Sequence, residues 1–491
     1  MIPELDGLQP VLFWLHFHEI TRIPRCSGHE DLIREYIIQI AKRVGLRYRV
    51  DGVGNLVVVK PACDPVGDRP IVVLQSHLDM VCEKESDREF DFNTDPIQLV
   101  REGNWLKAKG TTLGADNGVG VALSLAVIEQ EDLEHGPLEF LFTVGEEIGL
   151  KGAHALTPDM LDGRILINLD SEDIDTFCIG CAGSRFTTIH LTPTFETTHQ
   201  DTRQGVRAVR LIVDGLAGGH SGLDINQGRA NALKLLGRLL CVAQQKNTFF
   251  LKNVQGGSSL NAIPRRAEAL GIISDNDIGA LEQTVSDLEA VFKTEYHPIE
   301  ANLAVRLETM TATHNETVFS QGFQNKVINL LLAVPHGIYS MDALVPGLVK
   351  TSTNLATIGL KDGSLTIGTK QRSSEDSEIH AVSDMIQACA ELAGAMVEIG
   401  GDYPGWKPNP DSSILNRAKD VYTRVFGRKP EVASIHAGLE CGLLKSKLEG
   451  LDAVSIGATI RNAHSPDEAL QIPSVAKLWK LITGLLANMA G

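Results

Sequence analysis

No stretch of this chain is both long and apolar enough to suggest a membrane span. Its start, Met1-Ile2-Pro3-Glu4-Leu5-Asp6, lacks the basic residues of a secretory leader, and the short apolar run from Val11 to Leu15 soon meets His16, His18 and Glu19. Basic residues are in deficit, with 45 Lys and Arg against 62 Asp and Glu and a net charge of -17. A phosphate backbone needs a basic stripe, so nucleic-acid binding is excluded as a reading. Cysteine is sparse too: eight residues stand singly between Cys26 and Cys441, without the dense spacing of a secreted disulfide framework. That pattern predicts reduced thiols and a cytoplasmic protein. The one C-x-x-C, Cys178-Ile-Gly-Cys181, has no second pair at motif spacing and reads as structural thiols. Low-complexity segments are absent.

What is present is a long chain, 491 residues with 43% hydrophobic side chains, enough for two domains of unequal size. Ser27-Gly28-His29-Glu30 reads as a capping box before a helix whose apolar face carries Leu32, Ile33, Tyr36, Ile37, Ile40 and Val44. β-branched runs at Leu56 to Val59 and Ile71 to Leu74, a helix at Val119 to Glu129, and strands at Leu138 to Val144 and Ile165 to Leu169 then alternate. This is the pattern of an α/β domain, a mostly parallel or mixed sheet flanked by helices. From about Phe186 the texture becomes threonine-rich and alternating, with helical stretches at Ala230 to Val242, Gly279 to Phe292 and Ser377 to Gly394. An inserted α+β domain is expected there, long enough for two tandem units. The turn-rich Pro404-Gly405-Trp406-Lys407-Pro408 marks the return, and Ala453 to Ile456 re-enters the first sheet. The expected boundaries are 1–186, 187–401 and 402–491.

Open α/β sheets present ligands at the carboxyl ends of their strands, and those positions are polar here. They carry His77-Leu78-Asp79, Gly145-Glu146-Glu147 and Asp170, with Gly114-Ala115-Asp116-Asn117-Gly118 ahead of a helix and His464 after the late strand. Taken singly, Asp116 is a helix cap, Asp170 a strand-end turn and the glutamates solvated charges. Together, two histidines and several carboxylates at one sheet edge match divalent cations, zinc first, with manganese or cobalt also admitted. Neighbouring side chains on a turn diverge, so one of Glu146 and Glu147 can ligate while the other takes a proton from water. Asp116 is the natural bridge between two cations about 3.5 to 4 Å apart. Asp79, two residues beyond His77, can fix the imidazole tautomer from behind.

This residue set resembles the metallopeptidase family that holds dipeptidases, peptidase T, carnosinases and aminoacylases. The likeness spans essentially the whole chain, including Gly218-Gly219-His220-Ser221-Gly222, Asn261-Ala262-Ile263-Pro264-Arg265 and His436-Ala437-Gly438-Leu439-Glu440, and is greatest for the members that cleave aminoacyl-histidine bonds. The resemblance implies two cations per chain, one held by His77, Asp116 and Asp170, the other by Asp116, Glu147 and His464. Glu146 would be the general base, and Asp79 would orient His77. The inserted domain would be a lid whose His220 polarises the scissile carbonyl, while Asn261 and Arg372 grip the peptide carboxylate. His436 and Glu440 would shape the substrate pocket. It further implies a homodimer and a small peptide substrate with a free amino terminus, Xaa-His dipeptides by preference. A deacylase of N-acyl amino acids, a broader di- or tripeptidase and a catalytically silent metal-binding scaffold are the competing readings.

Overall fold

The computed structural model describes residues 2–64, 69–197, 205–246, 249–311, 316–343, 345 and 347–490. They form two compact units: Met1–Cys181 with Trp406–Ser434 and Leu439–Gly491, and Ala182–Gly405 with Ile435–Gly438.

The first unit is built on an eight-stranded mixed sheet, in the order Arg47–Val50, Leu56–Lys60, Leu138–Thr143, Val72–His77, Ile165–Asn168, Asp452–Ser455, Thr176–Cys181, Glu431–Ile435. The four strands ending at Thr143, His77, Asn168 and Ser455 run parallel. Every residue of Val72–His77 and Leu138–Thr143 is buried, which is why these strands read as continuous rather than alternating patterns. Helices Val11–Ile20, Ala115–Glu129, Ser413–Phe426 and Ile472–Ala490 contribute Phe13, Trp14, Phe17, Leu123, Tyr422 and Leu485 to one core with the sheet. The aligned strand ends leave their last side chains and the loops that follow at a single edge.

Two local expectations are corrected. The helix begins at Asp31, and no side chain caps it. Ser27, read as the cap, donates to Asp79 instead, and Glu30 accepts from the N–H groups of Gly28 and the distant Gly145. Cys26 and Cys82, expected as separate thiols, form a disulfide with a Cα separation of 5.7 Å. A bridge between Cys26 and Met80 lays the two segments side by side, a proximity that 56 residues of separation conceal.

The second unit holds a nine-stranded antiparallel sheet, and its order resolves into two modules of one kind. In the first, Val206–Asp214, Ala232–Lys246, Phe249–Gly256, Ala267–Ser274, Ile278–Glu295 and Ala304–Thr311 follow one another as βαββαβ. In the second, Gly183–Leu191, Gln321–Ala333, Val349–Lys361, Ser364–Ser373, Asp376–Leu392 and Met396–Tyr403 repeat that succession, with the first module inserted after the opening strand and Gly337–Met341 added along Val349–Lys361. Each module places its strands so that the split βαβ halves interleave. The seam is narrow: Phe249–Gly256 meets Val349–Lys361 at Gly256 and Ile358. One sheet face is apolar and packs on the four helices, burying Leu236, Leu240, Phe292, Val327, Leu331 and Ile386.

Candidate functional site

At the strand edge of the first unit, three groups of ligating atoms converge: His77, Asp116 and Asp170; His77, Glu146 and Glu147; and Asp116, Glu147 and His464. Within each group the atoms lie within 4.8 Å of one another. His77 is the last residue of its strand and is buried. Its Nε2 lies 3.0 Å from Asp116 Oδ1 and 3.4 Å from Asp170 Oδ1. The other Asp116 oxygen, Oδ2, lies 3.0 Å from His464 Nε2, which also stands 3.1 Å from Glu147 Oε1. Asp116 thus faces two imidazoles with its two oxygens.

The backbone supports this arrangement. Asp116 and Asn117 depart from helical geometry within the first turn of Ala115–Glu129, which turns the Asp116 carboxylate out of the helix. The Asn117 amide then donates to the Leu169 carbonyl at 2.9 Å and to the Asp170 carboxylate. His464 takes a positive φ of 63°. Such a conformation is uncommon outside glycine and tends to mark a residue held for its side chain.

Asp79 does more than its spacing suggested. His77 Nδ1 is 3.1 Å from the Asp79 backbone carbonyl and 3.4 Å from its carboxylate. That carboxylate accepts the Ser27 hydroxyl at 2.7 Å and the backbone N–H groups of Glu146 and Glu147 at 3.0 and 3.2 Å. It therefore fixes the turn that bears both glutamates. Glu30 holds the same turn from the other end, accepting the Gly145 N–H at 3.1 Å. Ser27, Glu30 and Asn117 are contributors that the sequence did not reveal, since their partners lie far along the chain.

The electrostatics are those of a site short of positive charge. Burial, then repulsion from Asp170, Glu147 and Glu440, pushes the Glu146 carboxyl well above the usual range, against the pull of His77. Burial also raises Glu147 and Asp170. Hydrogen bonds to Asp116 and Glu147 lift His464 to about 11. Burial opposes charge on His77, yet Asp170 and its other carboxylate partners raise it well above the ordinary imidazole value. Burial would raise Asp79 as well, but His77, Ser27 and the Glu146 amide outweigh it and hold the acid at about 2. Glu147 Oε1 is buried, and the partner it faces is His464 Nε2. Two imidazoles and four carboxylates of this kind, crowded and undercompensated, fit divalent cations of borderline hardness.

The second unit gathers a further set. His220 Nδ1 accepts the backbone N–H groups of Gly222 and Leu223 at 3.2 and 3.0 Å, so Nε2 carries the proton. The Arg372 guanidinium comes within 3.3 Å of that nitrogen and donates to Asn261 Oδ1 at 3.0 Å. Two donors side by side suit an oxygen acceptor such as a carbonyl or carboxylate. His436 is buried and its Nε2 meets the Ser352 hydroxyl at 2.7 Å; burial, then the charge of Arg372, lowers its pKa to about 3, so it is neutral at ordinary pH. In the first unit Glu440 is fully buried, where its carboxylate accepts from Gln75 at 2.6 Å and Thr143 at 2.7 Å. Burial raises its pKa to about 7.

Among the described residues no helix is long and apolar enough to cross a membrane. Comparison with known proteins gives a consistent result. The profile of peptidase family M20/M25/M40 matches residues 73–488. A cytosol non-specific dipeptidase of Escherichia coli is 40% identical over 486 residues, covering 99% of both chains. The crystal structure of aminoacylhistidine dipeptidase from Vibrio alginolyticus aligns with a TM-score of 0.86 and 39% identity, over 99% of this chain and 98% of the other. Aminopeptidase PepT from Bacillus cereus shares the fold, with a TM-score of 0.57 and 15% identity over 99% of this chain and all of its own.

Proposed function

Because the chain belongs to peptidase family M20/M25/M40, we propose that it is a dipeptidase for peptides with a free amino terminus, Xaa-His dipeptides by preference, working at a centre of two divalent cations. The observation that carries this reading is Asp116, whose two oxygens face His77 and His464 and which belongs to two of the ligand groups. His77, Asp116 and Asp170 would hold one cation, and Asp116, Glu147 and His464 the other. Zinc suits the imidazole and carboxylate donors best, ahead of manganese and cobalt. Bound there, the cations supply Lewis acidity to the scissile carbonyl and make a water more acidic.

The chain's own residues do the rest. Glu146 takes the proton of the attacking water and passes it to the leaving amine. Asp79 holds the turn that presents Glu146. We assign the scissile carbonyl oxygen to the His220 Nε2–H and the substrate carboxylate to Arg372 and Asn261. We assign His436, held by Ser352 in the second unit, and Glu440, held by Gln75 and Thr143 in the first, to substrate binding, each within its own unit. The E. coli relative is named as cytosolic, and we place this chain in the same compartment.

Two measurements test the reading. Purified enzyme with its metal content recorded is expected to release free amino acids from Ala-His faster than from Ala-Leu, and both far faster than from N-acetyl-His or Ala-His-Ala. Preference for N-acetyl-His would make it a deacylase, and efficient cleavage of Ala-His-Ala a tripeptidase. His220→Ala is expected to lower kcat by roughly 100-fold or more with a smaller change in KM, since an oxyanion donor acts chiefly in the transition state. Unchanged kcat in steady-state kinetics would remove His220 from the reaction.

A further inference from the structure

Behind the candidate centre lie two buried, oppositely charged side chains that, among the described residues, form no hydrogen bond or ion pair with a ligand side chain: Arg25 is 2% exposed and Glu468 1% exposed. The Glu468 carboxylate accepts four successive backbone N–H groups, from Leu113, Gly114, Ala115 and Asp116, at 2.7, 2.8, 2.7 and 3.2 Å. The Arg25 guanidinium donates to the carbonyls of Leu78 and Asp79 at 3.0 and 2.9 Å and also to the carbonyl of Gly114. One loop, 113–116, is thus gripped by its N–H groups from one side and by a carbonyl from the other. The grips have a direction. Arg25 ties the loop to the segment that follows His77, and Glu468 ties it to the segment that carries His464, whose turn is closed by the Glu468 N–H on Ser465 at 3.0 Å.

We propose that Arg25 and Glu468 are positioning residues that set the bridging orientation of Asp116 by clamping the backbone of three ligand-bearing segments. The inference rests on the two-cation reading above. Asp116 meets different imidazoles through different oxygens, so a modest rotation of its backbone would lose one partner or the other. Four N–H groups aimed at one carboxylate resist that rotation, and charge-assisted bonds are the strongest available for it. The fit is close at Gly114, whose φ of 69° excludes most side chains: a Cβ there would stand 2.5 Å from Arg25 Nη2 and 2.6 Å from Met80 Sδ. Removing either charge would leave the other buried amid backbone groups arranged for it.

The test compares metal-free wild type with Glu468→Gln by zinc titration, thermal melting and hydrogen exchange at amides 113–116. A glutamine offers one acceptor where the carboxylate offers two, and turns an N–H donor toward N–H donors. Glu468→Gln is expected to speed exchange at these amides and to weaken both cation sites together by about 10- to 100-fold, the scale for residues that orient ligands. A merely structural role would lower the melting temperature and leave both affinities alone, and that result overturns the proposal. So does unchanged exchange. If Glu468→Gln does not fold, Arg25→Lys carries the same measurements, since it keeps the charge but loses the fork that spans three carbonyls. Wild type that takes up fewer than two cations would sink the two-cation reading, while exchange in the metal-free proteins still decides the clamp.

Discussion

Glu146→Gln is expected to reduce kcat by about 100- to 10,000-fold while leaving metal content unchanged, the scale for loss of a general base and equivalent to roughly 3 to 5 kcal/mol of barrier. Glutamine keeps the size and the Asp79 bond to the backbone N–H of residue 146, because that bond does not involve the side chain. Only the ability to take a proton is lost. Glu147→Gln, one residue on, should instead weaken cation binding, since its Oε1 is the buried atom beside His464. Steady-state kinetics with metal analysis separates the pair, and an exchange of the two phenotypes would reverse the assignment of base and ligand.

Asp116→Ala is expected to abolish both activity and both cations, whereas Asp170→Ala or His464→Ala should spare part of the metal. The reasoning is geometric. Asp116 is the carboxylate common to the two groups assigned to the cations, His77 with Asp170 and Glu147 with His464, while Asp170 and His464 each belong to one. Plasma emission analysis of folded variants, checked by circular dichroism, gives the ratio directly. One cation retained at full occupancy in Asp116→Ala would show that the sites do not depend on a shared bridge.

How much of this was written legibly in the chain depends on the distance over which each feature acts. The parallel strands were readable because double-sided burial leaves unbroken apolar runs, and their ends were readable because polar residues stop those runs abruptly at His77, Glu146 and Asp170. The supports were not. Ser27 and Glu30 present a local capping pattern, yet their partners, Asp79 and Gly145, lie 52 and 115 residues away. The Glu468 bonds to the loop at 113–116 span about 350 residues and leave no periodicity. The pairing of Cys26 with Cys82 was hidden in the same way. The tandem modules are hidden for another reason: one interrupts the other after its first strand, so the repeat has no constant period along the sequence.

That nesting has a consequence for heredity. His220 and Asn261 belong to the inserted module, and Arg372 to the one that surrounds it. Were the two modules contributed by separate copies of one polypeptide, every mutation would appear in both, and a change that helped one contact would alter its counterpart as well. Here a codon change at 261 affects a single loop, and one at 372 a single strand. The two halves of the pair are free to diverge, so the proposed grip on a substrate can be altered from one side while the other stays as it was.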